Sequence, residues 1–232
     1  MSAVFAISTA AARRPRRLQH GRRAMPRRRP HGSVTIEVLV IVPLMLLVLL
    51  GFTELYLYMR AASLVEHAAF TLADSIGQMD DIVDDEGTTS ANSLGSLWAA
   101  AALLAQPEPL QSNGGVIVTS ICDSTTNCGT TTRASSSPSM LPGTPAIYWQ
   151  QAAPWTQGTM TSQIAAGSML PPTWPFRNGD AAIVVEVFYR YDPFPLLAGL
   201  WPGAPGTTTI YRRVYARQRV TKGQAMQLVN PQ

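Results

Sequence analysis

From Val38 to Phe52 the chain reads VLVIVPLMLLVLLGF, without one charged or hydrogen-bonding side chain. Extended from Ser33 to Tyr58, this segment would form roughly 39 Å of α-helix at about 1.5 Å per residue, against a bilayer hydrocarbon core of about 30 Å. It is therefore long enough to span a membrane, with tilt or with its ends among the headgroups. Glu37 stands at its mouth, and a carboxylate there is costly enough to call for a use. Glu54 closes the far end beyond the weakly polar Thr53.

Charge is distributed unevenly around this segment. Arg13, Arg14, Arg16, Arg17, Arg22, Arg23, Arg27, Arg28 and Arg29 precede it, with no acidic residue among them, while Tyr56 and Tyr58 follow it as an interfacial belt. The positive-inside rule then puts the N-terminus in the cytoplasm and the chain beyond about residue 60 outside. Overall the sequence carries 18 Lys plus Arg and 14 Asp plus Glu, a formal net charge of +4. Half of those basic residues and none of the acidic ones lie before Ser33, so the remainder has nine bases against 14 acids, a net charge of −5. The sequence pI of about 9.4 thus reports the leader, and it argues for topology rather than for nucleic acid.

The order Gly32-Ser33-Val34-Thr35-Ile36-Glu37 followed by the apolar run resembles a type IV prepilin processing site. More closely, residues 31 to about 79 resemble the TadE-like pseudopilins of the tight-adherence (Tad/Flp) system, and the strands near 180 to 220 do so more loosely. The resemblance implies that a prepilin peptidase cuts after Gly32, leaving Ser33 as the first mature residue and Glu37 as the fifth. It also implies assembly partners: other pilins or pseudopilins and inner-membrane Tad proteins. Two departures separate the chain from other pilin branches, namely Ser33 in place of a phenylalanine and a body much larger than a major Flp pilin.

The leader comprises residues 1–32, although Met25 offers a more compact basic start, Met-Pro-Arg-Arg-Arg-Pro-His-Gly. A twin-arginine export signal and a cleaved secretory signal are the rival readings. Both expect a shorter apolar region and a small-residue site after it, where this chain has Tyr58-Met59-Arg60-Ala61-Ala62.

Past the expected transmembrane helix (33–58), Ala61, Leu64, Val65, Ala68, Leu72, Ile76 and Met79 recur at three- and four-residue steps. One apolar stripe of this kind predicts that the helix continues through 59–79 as the spine of an outer domain, 80–232. Pro43 falls inside the helix, where it removes a hydrogen bond that membrane helices can forgo. Asp80 to Ser90 is acidic and then small and polar. It lacks the alternating spacing of a calcium loop and reads as a solvated turn. A second, short amphipathic helix is expected from Ala91 to Gln106 on Leu94, Leu97, Trp98, Ala101, Leu104 and Ala105, ended by Pro107 and Pro109.

Period-two patterning then predicts strands at Val116 to Ile121, Ala181 to Tyr191 and Thr207 to Val220. In the second of these, Ile183, Val185, Val187, Tyr189 and Tyr191 share one side, and Glu186 and Arg190 the other, as in a sheet with one covered face. Between the last two strands, 192–206 is a proline-glycine loop carrying Leu196, Leu197, Leu200 and Trp201, read either as folded on the core or as meeting a partner or membrane surface. The fold class expected is α+β: a long pilin-like helix, a short helix and an antiparallel sheet.

Cys122 and Cys128, outside the membrane by the topology argument, are expected to form a short disulfide loop. A metal site is the poorer reading, since the pair has neither a second pair nor a nearby histidine. Of the three histidines only His67 lies beyond the leader. The sequence has no Gly-x-Ser-x-Gly elbow, His-Glu-x-x-His pair or phosphate-binding glycine loop. No cofactor, metal, nucleic acid or small-molecule substrate is expected. The function expected is a non-enzymatic minor pseudopilin in the bacterial inner membrane with a periplasmic domain. The alternative is an uncleaved, signal-anchored periplasmic binding or scaffold protein unrelated to pili.

Overall fold

A computed structural model describes residues 33–125, 128, 140–165, 167–194, 206–219 and 225–231. The leader, Gly32, the core of the 192–206 loop and most of the Ser/Thr-rich segment after Cys128 lie outside these residues. The chain divides into two compact units, 1–46 and 47–232.

Helix α1, Ser33–Gly77, is built from leucine, alanine and other apolar residues and contains Pro43. It is long and apolar enough to cross a membrane, with an 18-residue window of mean hydropathy 2.6 that has no buried share. In the first unit its side chains from Thr35 on are exposed.

In the second unit, burial along α1 switches on at Ala61. Ala61, Val65, Ala68, Leu72 and Ile76 are buried along the stripe, joined by Ala62, Ala69 and Ala73. These residues pack against the inner face of the sheet in the main core. Gly77 closes α1 against the backbone, where an added Cβ would meet the Arg217 carbonyl at 3.1 Å.

Strand β1 (Asp81–Val83), helices α2 (Leu94–Leu104) and α3 (Leu110–Asn113), and strands β2 (Gly114–Asp123), β3 (Pro145–Ala152), β4 (Ala181–Tyr191), β5 (Thr208–Arg217) and β6 (Gln227–Val229) complete the unit. Four strands form an antiparallel sheet in the order β3-β2-β4-β5. Strands β1 and β6 form a separate parallel pair, Asp81 opposite Gln227. The architecture is α+β.

Helix α2 begins where Ser93 caps it, its hydroxyl accepting from the Ser96 N–H at 3.3 Å. Leu94, Leu97, Trp98 and Ala101 bury one side of it, and Gly95 permits a close approach of the preceding loop: an added Cβ would lie 1.9 Å from the Glu86 carbonyl oxygen.

The main core combines the α1 stripe and the inner face of α2 with Val116 and Val118 of β2, Ile183, Val185, Val187, Tyr189 and Tyr191 of β4, and Ile210 of β5. The opposite face of the sheet is covered too. Ile121, Ala182 and Val184 pack with Ile164, Met169, Leu170, Trp174 and Phe176, while Ile117 and Phe188 pack with Met160. The expectation of one covered face is therefore corrected: the segment between β3 and β4 crosses the back of the sheet as a strap. The solvated turn is corrected as well, because its residues Asp81–Val83 pair with β6.

Candidate processing and assembly site

Glu37 lies on α1, one helical turn beyond Ser33, with its side chain exposed. Its neighbours on the helix surface are apolar and equally exposed, Ile36 at 66%, Val38 at 53% and Ile41 at 51%. The helix thus carries one carboxylate, an acceptor only, on a surface otherwise made for hydrocarbon. Gly32 lies outside the described residues.

At the far end of the apolar run, Glu54 accepts a hydrogen bond from the Tyr191 hydroxyl at 2.6 Å. Tyr58, about one turn on, sets its ring edge-on to Tyr191, with centroids 5.5 Å apart. Two residues back along β4, the Tyr189 hydroxyl donates to Glu108 at 2.8 Å. Burial, then the hydrogen bond and the negative charge of its partner carboxylate, pushes each of these phenols well above the usual tyrosine range. The last turn of β4 is thereby tied to α1 and to the segment that follows α2.

Alternation along β4 puts Glu186 on the side expected to be uncovered, and the structure corrects this. Glu186 is fully buried, accepting from the Tyr211 hydroxyl at 2.6 Å, the Gln163 N–H at 3.0 Å and the Ser162 hydroxyl. Ser162 in turn accepts from the Ile164 N–H at 3.1 Å. Burial and the Glu186 carboxylate raise the Tyr211 pKa. The sequence does carry a signal for this: Ala182, Val184 and Phe188 share the face of Glu186, and three apolar neighbours at alternate positions mark a covered face. A carboxylate with three donors and no open face is a pin that fastens the strap to the sheet, not a base awaiting a substrate.

Cys122 and Cys128 are joined as a disulfide with Cα atoms 5.3 Å apart. Beside it Asp123, also buried, accepts from the N–H groups of Thr144 and Gly179 at 2.9 and 3.0 Å and from the Thr125 hydroxyl at 2.8 Å. The ring is thus built onto a carboxylate that gathers three loops. Among the described residues no group of three or more His, Cys, Asp or Glu side chains is placed to hold a metal ion. His67 is exposed on α1 beside a shallow groove shared with Tyr58, Met59, Phe70 and Arg212.

Residues 32–74 match the family described as TadE-like protein. No curated protein and no solved structure matches the chain. The matched stretch contains Gly32, Glu37, the whole apolar run and most of the buried stripe of α1, but none of the strands.

Proposed function

We propose that this chain is a minor pseudopilin of a Tad-type pilus system: a non-enzymatic, single-pass inner-membrane protein whose domain lies in the periplasm. A prepilin peptidase removes the leader after Gly32. The observation that carries this reading is the TadE-like match over residues 32–74, a stretch in which glycine, glutamate and apolar helix stand in processing order. The change along α1, exposed from Thr35 to Met59 apart from the half-buried Glu54 and buried along one stripe from Ala61, supports it. One half of such a helix suits lipid or neighbouring pilin helices, and the other half carries a domain.

Cleavage gives Ser33 a free amino group, mostly protonated near neutral pH because such groups titrate near 8. Glu37 is one turn away. Neither charge is stable alone in hydrocarbon, so the two pair, within one chain or between neighbouring subunits, and pairing between subunits sets axial register during assembly. The partners are the peptidase, other pilins or pseudopilins and inner-membrane Tad assembly proteins.

N-terminal sequencing of the protein from cells with and without the peptidase tests this. Ser33 should lead the mature chain only where the peptidase is active, and an unprocessed chain in peptidase-positive cells would sink the proposal. Glu37→Gln should leave processing largely intact while pilus yield falls. Unchanged piliation would remove the pairing role.

A further inference from the structure

The sheet has two unlike ends. At one, the β2–β4 ladder finishes with Cys122 opposite Ala181, the disulfide follows, and Pro142, two residues after the exposed Met140, bridges to Arg177. At the other, Gly114 stands opposite Tyr189, and Thr208 opposite Tyr191. This second end is the one that reaches Glu54, the first charged residue after the apolar run of α1. It also holds the link from α2 to α3, because Glu108 accepts from Tyr189.

The surface presented there is unusual for an acidic domain. Leu103 is 65% exposed, and Gln106, Pro107 and Pro109 beside it are exposed as well. Helix α2, Leu94–Leu104, has no charged residue, and its outward positions Ala99, Ala102 and Leu103 line a shallow trough with the two prolines. Of the carboxylates at this end, Glu54 and Glu108 accept from tyrosine hydroxyls, while Asp192, next to Tyr191, is exposed. Tyr58 lies at this end, and Arg60 and Arg190, both exposed, are cations near it.

We infer that this end of the domain, formed by the α2–α3 link around Leu103 and Pro107 together with Tyr58 and the tyrosine-capped Glu54 and Glu108, rests on the outer leaflet of the bilayer that α1 crosses. The inference depends on the membrane-spanning reading above. A domain joined to its membrane helix without a linker must hold one end near the lipid, and hydrogen bonding identifies that end as this one. Apolar side chains, tyrosine rings and arginines are the residues that the interfacial layer accepts, and the tyrosine hydroxyls meet part of the hydrogen-bonding need of the two carboxylates as water is displaced there. The disulfide end faces away.

Single spin labels on the full chain in vesicles of phosphatidylethanolamine and phosphatidylglycerol test the contact. The native cysteines are joined, so Leu103→Cys, Gln106→Cys, Val42→Cys and Met140→Cys each offer one reactive thiol. Relaxation by oxygen, which concentrates in lipid, is compared with relaxation by a water-soluble nickel chelate. The expected ranking of oxygen over nickel is Val42 highest, Leu103 and Gln106 several-fold above Met140, and Met140 lowest. If the Leu103 and Gln106 labels match Met140 while Val42 stays in lipid, the domain does not rest on the bilayer, although the helix still spans it. If Val42 is also aqueous, both readings fail. Leu103 and Gln106 labels immobilised and shielded from both reagents would assign the face to a second copy of the chain and overturn the lipid contact.

Discussion

Glu37 and Glu186 show two ways of keeping a carboxylate among apolar residues. Glu37 is exposed on an apolar helix, whereas Glu186 is enclosed and accepts from three donors across its two oxygens. Removing Glu186 as Glu186→Ala leaves two hydroxyls and an amide facing a void, with an expected loss of about 3 kcal/mol in chemical denaturation of the purified protein. Glu186→Gln should lose less, because an amide oxygen still accepts. The tyrosines give a pH signature. Tyr189, Tyr191, Tyr211 and Tyr215 all have raised pKa values, burial being the first cause in each. In the unfolded chain these phenols ionise near 10, so above that pH the native state holds more protons and its stability falls as pH rises. Below that range the contribution is fully present. Phenolate absorbance followed against pH should therefore show four of the seven tyrosines ionising only as the fold is lost.

Among the elements, α1 divides its own surface, and paired substitutions separate the halves. Leu72→Ala, at a position 1% exposed, should cost about 2–5 kcal/mol, whereas Phe70→Ala, at 62% exposed and two residues away, should stay within about 0.5 kcal/mol. Thermal or denaturant melting of both variants in the same detergent checks the contrast. The stripe on α1 and the inner face of β4 were legible in the sequence because a single period ran unbroken through each. Strand β4 has the bounds its alternation gave, Ala181–Tyr191, and β5 stops at Arg217 rather than running on to Val220. Strand β3 was not legible: in PAIYWQQA the half-buried positions do not alternate, and its hold on the core comes from neighbours such as Met226, whose carbonyl accepts from Trp149 Nε1 at 2.6 Å. Strands β1 and β6 are three residues each, too short for any period to register, and exist through pairing across almost the whole domain. The burial of Glu186 is marked on β4 itself by Ala182, Val184 and Phe188 at alternate positions, but the strap that covers it has no regular pattern and leaves no periodic trace of its own.

At the scale of the molecule, residues 1–32 dominate the net charge and the chain from Ser33 on is acidic, so the isolated sequence pI misdescribes the protein proposed here. The disulfide spans a ring too short to restrain much of the unfolded chain. Replacing both Cys122 and Cys128 by serine should cost about 2 kcal/mol in the loop-entropy picture, with the fold retained. Melting of the double variant against reduced and oxidised wild type measures it. A larger constraint is topological. Strand β1 follows α1 directly, but its partner β6 comes after every other strand, and Met226, wholly buried, receives hydrogen bonds from Ser120 on β2 as well as from Trp149. Nucleation among α1, β2 and β4 can proceed early, yet the edge of β1 stays open until Gln227 arrives. Such long-range closure is slow and leaves a strand edge available in the interval. During its synthesis the chain thus holds β1 as a vacant template just after α1, and any chaperone serving it has its task set by the order of translation.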